Sequence, residues 1–95
     1  MFDIGSRVWP GISKLIEECA EVVQVCGKLI ALRGERRHWD GTDLKERLED
    51  EIGDGYAAAQ FVIEHCGLDV GRIRARASQK HALFEKWHAE HQEAA

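Results

Sequence analysis

Apolar residues recur along the first third of the chain at helical spacing. Ile12, Leu15, Ile16, Cys19, Val22, Val23, Cys26, Leu29 and Ile30 follow the i, i+3, i+4, i+7 rule. The spacing predicts a first helix over about 10–33, ended by Gly34. "GERRHWDGTD" (34–43) is a polar loop, and Thr42 or Asp43 can cap the next helix, with Glu46 placed as in a capping box. That second helix is predicted over about 43–66, its stripe carrying Leu44, Leu48, Ile52, Gly55, Ala59, Val62, Ile63 and Cys66. Gly67 ends it, Asp69 can cap a third helix over about 69–91, and Ile73, Ala77, Phe84 and Trp87 form the last stripe. Pro10, the single proline, precedes all three. There is no alternating strand pattern, no internal repeat, and no low-complexity tract beyond the "EHQEAA" tail. The expected fold is all-α: one domain over 1–95, three main helices, and a four-helix bundle completed by a second subunit.

Charges placed against these stripes raise a question. Each residue advances about 100° around a helix, so Glu17, Glu49, Asp50 and Glu64 face solvent, while Glu18 falls at the edge of the apolar arc. Glu21 lies one turn further, with Lys28 seven residues beyond it. Glu51 falls inside the second stripe, between Leu44, Leu48 and Ala58, with Asp54 at its border. On the third helix Lys80 lies within the stripe and Arg76 one turn before it. A carboxylate against hydrocarbon costs several kcal/mol unless it is paired or binds a metal. Pairing of Glu51 with Lys80 or Arg47 is the plain structural alternative.

Composition narrows the chemistry. A hydrophobic fraction of 44% and a charged fraction of 32% fit a globular chain rather than a disordered one. Net charge −4 and pI near 5.7 argue against nucleic-acid binding by phosphate neutralisation. No apolar run approaches the roughly 18 residues of a membrane span, and "MFDIGSRVWPG" lacks the features of a signal peptide, so a cytoplasmic protein is expected. Cys19, Cys26 and Cys66 form no CxxC pair and read as small buried hydrophobes in a reducing compartment.

Two i, i+3 acid pairs on two antiparallel helices can converge into a hard oxygen site. Crowded carboxylates repel, so the cluster makes sense if divalent cations neutralise it, and all-oxygen ligation favours Mg²⁺ or Mn²⁺ over zinc. The pattern Glu18-x-x-Glu21 followed by Glu51-x-x-Asp54 resembles the ExxE…ExxD signature of the MazG-like all-α nucleoside triphosphate pyrophosphohydrolases, in particular their compact phage-type (MazZ-like) members. "LIEECAEVV" resembles the first family helix and "LEDEIGDGYAA" the second, and the likeness covers about residues 10–88.

The resemblance implies hydrolysis of a (deoxy)nucleoside triphosphate to the monophosphate and pyrophosphate, with two or more Mg²⁺ or Mn²⁺ ions per site. It makes Glu18, Glu21, Glu51 and Asp54 metal ligands, with one of the glutamates an alternative positioner of the attacking water. Lys28, Arg76 and Lys80 would bind phosphates, and the chain would form a homodimer or homotetramer. Arg76-x-x-x-Lys80 departs from the Lys-x-x-x-Asn of many relatives. Trp9, His38, Trp39 and Asp40 are the candidates for base binding, since an indole can stack on a base and a carboxylate can accept from guanine. The small phage relatives point to a purine, chiefly dGTP. His88 and His91 share a helix face, but no further ligand joins them or His81. The rival expectation is a non-catalytic helical interaction module whose charged core residues fix register.

Overall fold

The computed structural model describes residue 7 and residues 9–94, with side chains through 92; the remaining N-terminal residues and the end of the "EHQEAA" tail lie outside the described residues. Three helices follow one another: α1 (Ile12–Ala31), α2 (Leu44–His65) and α3 (Val70–Ala94). The fold is all-α. Each helix end falls one or two residues inside the predicted range, except that α3 runs three residues further at its end, because the ends are set by caps.

Those caps are specific. α1 unwinds through Leu32, Arg33 and Gly34, the last two with φ of 54° and 83°, as Gly34 N–H donates to Leu29 O at 2.8 Å. Asp43, rather than Thr42, is the N-cap of α2, its Oδ1 accepting from Lys45 N at 3.0 Å and Glu46 N at 3.3 Å. Gly67 (φ 64°) turns the chain out of α2, and Asp69 Oδ1 accepts from Arg72 N at 3.0 Å to open α3. The loop between α1 and α2 is itself ordered by pairing. Arg36 grips Asp43 with Nε and Nη2 at 2.8–3.1 Å, and His38 N–H donates to Thr42 O at 2.9 Å.

α1 and α2 pack as an antiparallel hairpin, since the start of α1 meets the end of α2 and Glu18 meets Glu51. The seam has a heptad rhythm on both sides. Gly11, Glu18 and Val25 are buried along α1; Leu44, Glu51 and Ala58 are buried along α2, with Val62 beyond them. Hydrocarbon closes the seam at one end, where Val25 and Leu44 are each 1% exposed, and the two glutamates occupy its middle. The two helices also share a charge spacing that differs in residue identity: cation, glutamate four residues on, acid three further, as Lys14–Glu18–Glu21 and Arg47–Glu51–Asp54. Matching by charge type rather than by residue hides this repeat from a reading of the letters.

The third stripe does not do what its periodicity predicts within one chain. α3 shares no extensive packing with the hairpin, and Ile73, Phe84 and Trp87 are exposed, the last two by about half. The described fold is thin, with extents of 48 × 36 × 16 Å, close to a single layer of helices. Its radius of gyration is 16.6 Å, against about 12 Å for a compact chain of this length. A second apolar row on α1 (Ile16, Cys19, Val23, Cys26, Ile30) is also exposed, Ile30 by 79%. The expectation of buried cysteines is therefore corrected for one chain: Cys19 and Cys26 are exposed, and Cys66 is half-buried with Sγ 3.5 Å from Pro10 O. Cys19 and Cys26 face away from the seam, on the row of α1 that the hairpin leaves uncovered. Among the described residues no helix is long and apolar enough to cross a membrane.

Candidate metal centre

The middle of the hairpin seam gathers carboxylates from both helices. Glu18 of α1 and Glu51 and Asp54 of α2 each offer an oxygen within 4.8 Å of the other two. Glu18 is 8% exposed and Glu51 5%, whereas Asp54 is open to solvent. Seven-residue spacing puts Glu18 and Glu51 on the seam itself; Asp54, one turn past Glu51, stands at its rim. Glu21 lies outside this tight group but beside Glu51, whose carboxylate raises the Glu21 pKa, with burial and then Glu18 adding to the effect.

Each buried glutamate is half satisfied. Arg47 Nε donates to Glu51 Oε1 at 2.9 Å, and Lys14 Nζ stands 3.4 Å from Glu18 Oε1. The alternative pairing of Glu51 with Arg47 is thus present, and the pairing with Lys80 is not found among the described residues. Yet Glu18 Oε2 and Glu51 Oε2 are buried with no hydrogen-bond partner among the described residues. A buried anionic oxygen without a partner costs several kcal/mol. Two of them beside a third carboxylate is an arrangement that a cation relieves. The donor set, oxygen only, fits Mg²⁺ or Mn²⁺.

An open pocket of about 350 Å³ adjoins the acids. Glu18, Asp54 and Lys14 line it together with the apolar Ala57, Ala58 and Phe61. Phe61 stacks on His65, ring centroids 4.1 Å apart. A polar end and an apolar end in one pocket suit a ligand with an anionic head and a flat or apolar body. Lys14 and Phe61 are new to the site, and Arg47 was expected from the sequence only as a pairing partner of Glu51. Lys14 and Arg47 carried a signal, since each lies four residues before a stripe glutamate; Phe61 carried none that separates it from a core aromatic.

The other sequence candidates are dispersed. Lys28 lies ten residues past Glu18, about 15 Å along α1. Arg76 and Lys80 sit on α3, where Arg76 lines a separate pocket with Arg72, and among the described residues neither comes to the acids. Trp9 precedes α1, while His38, Trp39 and Asp40 follow it, so about 30 Å of helix separates the two groups. The four do not form one base site in a single chain. Asp40 is engaged locally: Oδ1 accepts from Thr42 N at 3.0 Å and faces His38 Nδ1 at 3.1 Å. Thr42, and then His38, hold its pKa down to about 2. Trp39 is 87% exposed. Among the described residues His81, His88 and His91 join no group of three metal-ligating side chains; His81 faces Glu85 at 3.8 Å. Comparison with protein-family models, with curated proteins and with solved structures returned no match to this chain.

Proposed function

We propose that the chain is a divalent-cation-dependent nucleoside triphosphate pyrophosphohydrolase of the MazG-like type. The observation that carries the reading is the pair of buried, unpartnered oxygens on Glu18 and Glu51, converging with Asp54 between two helices. Glu18, Glu51 and Asp54 would hold the ion, and Glu21, beside Glu51, would hold a second ion or position the water. When bound, Mg²⁺ or Mn²⁺ supplies a lowered pKa for the attacking water and charge neutralisation on the phosphates. The pocket takes the rest of the substrate: Lys14 stands at the acidic end, and Phe61 offers a face for a base. Water adds to the α-phosphorus, the α–β phosphoanhydride bond breaks, and monophosphate and pyrophosphate leave. A purine deoxynucleotide, chiefly dGTP, is the proposed substrate, on the likeness to compact phage-type members alone.

The proposed working form is a homodimer or homotetramer in the cytoplasm. Its support is the thin, uncovered architecture of the single chain: the Ile16–Val23–Ile30 row and the stripe of α3 are exposed together. Obligate oligomers characteristically show such surfaces when one chain is taken alone.

The test incubates purified protein with each of the eight common NTPs and dNTPs, with Mg²⁺ or Mn²⁺, and follows monophosphate and pyrophosphate release. Metal-dependent turnover of a purine deoxynucleotide is expected. A second reading, the helical interaction module, is favoured by the 2.9 Å Arg47–Glu51 pair, which neutralises one core acid without metal. No turnover of any nucleotide, with stability indifferent to divalent ions, would establish that module instead.

A further inference from the structure

The cations beside the two buried glutamates are arranged as a matched pair. On each helix the cation lies one turn before its glutamate and reaches only Oε1: Lys14 to Glu18 at 3.4 Å, Arg47 to Glu51 at 2.9 Å. In both glutamates Oε2 is left buried and unpartnered, and the Glu51 side chain is only 7% exposed. A permanent structural ion pair of this depth would be expected to satisfy both oxygens, as a bidentate guanidinium does at Arg36–Asp43. The cations themselves are not buried: the side chains of Lys14 and Arg47 are 47% and 42% exposed. Lys14 is also shared with exposed Glu17, 3.2 Å away, which keeps a partner for it if Glu18 is taken. Either cation can therefore withdraw into solvent with little cost to itself, while the buried glutamate it leaves needs the charge of an incoming divalent ion in its place.

Resting on the metal reading above, we propose that Lys14 and Arg47 are interim counter-ions of the acid site, displaced when a divalent cation binds. Lys14, which also lines the pocket, then becomes a binding residue for the anionic phosphates of the ligand. The two roles have opposite signatures. Removing a competing positive charge tightens metal binding, and removing a phosphate contact weakens binding of a polyphosphate to the metal-loaded protein.

The experiment measures Mn²⁺ binding by calorimetry, and then binding of inorganic pyrophosphate to Mn²⁺-saturated protein. It compares wild type with Lys14→Met, Arg47→Met and the control Lys45→Met. Lys45 pairs with Glu49 at 3.6 Å on the outer face of α2 and reports a bare change of charge. Expected are several-fold tighter Mn²⁺ binding in Lys14→Met and Arg47→Met, no change in Lys45→Met, and several-fold weaker pyrophosphate binding in Lys14→Met. Unchanged or weaker Mn²⁺ binding in Lys14→Met overturns the counter-ion role, as does equal tightening in the control. Unchanged pyrophosphate binding overturns the phosphate role. Should Arg47→Met fail to fold, the half-exposed Lys14 carries the test. Failure of the wild type itself to bind Mn²⁺ removes the metal reading, whereas wild-type binding without the variant effects removes only this inference.

Discussion

Gly11 lies directly against Phe61: a Cβ built on Gly11 would stand 2.5 Å from Phe61 Cδ1 and 3.3 Å from a methyl of Val62. The contact joins the start of α1 to the end of α2 and closes the hairpin at the end opposite its loop. Gly11 also holds φ 85°, a left-handed conformation that a side chain resists. Gly11→Ala should therefore destabilise through two causes, about 1–2 kcal/mol for the backbone alone and more for the clash. A fall in Tm of at least about 4 °C is expected in a thermal melt. An unchanged Tm would mean that the two helix ends do not meet as described.

Glu51 and Glu49 are two residues apart on α2, yet one is buried in the seam and the other is exposed. Glu51→Gln should lower metal-dependent turnover by about 100-fold or more, the scale on which metal-site changes act, with the helical circular-dichroism spectrum retained. Glu49→Gln should leave turnover close to wild type. Equal losses in the two variants would remove the acid site as the seat of activity.

The Arg36 guanidinium beside Asp43 holds that carboxyl well below the usual carboxylate range, and the backbone N–H groups of Glu46 and Lys45 add to it. A depressed folded-state pKa stabilises above the unfolded value, near 3.9, and the contribution is lost as pH falls through the folded one. Asp40, held down to about 2, acts with the same sign. Asp43→Asn keeps a capping side chain but removes the charge. Its Tm should lie below that of wild type at pH 7, and the gap should shrink as the pH falls below about 4. Melts at a series of pH values check this, and a constant gap would count against the ion pair.

Ile16, Val23 and Ile30 recur every seven residues on the uncovered row of α1. If a second copy covers that row, Val23→Glu should place a charge in the interface and shift the protein to monomer in sedimentation velocity. Val23 is 69% exposed in the single chain, so the substitution costs the hairpin little by itself. A wild type that sediments as a monomer would refute the proposed assembly.

Much of this architecture was already legible in the letters. The 3.6-residue recurrence of apolar positions, punctuated by Gly34, Asp43, Gly67 and Asp69, determined three helices and their order, because backbone propensity and caps act within a few residues. The same periodicity set Glu51 against hydrocarbon, since a helix must aim every seventh residue at the same face. Which acids come together was decided only in three dimensions. Glu18 and Glu51 share a level because α2 folds back along α1 in one register, and Glu21 is left outside the tight group because it points partly past that seam. Lys14 and Arg47 stand at the acids by helix spacing alone, one turn before Glu18 and Glu51, whereas it was the tertiary structure that left Lys28, Arg76 and Lys80 away from them. One turn of helix brings a side chain within reach, while separate elements meet only if their faces pack, and the apolar stripe of α3 is covered by no surface among the described residues.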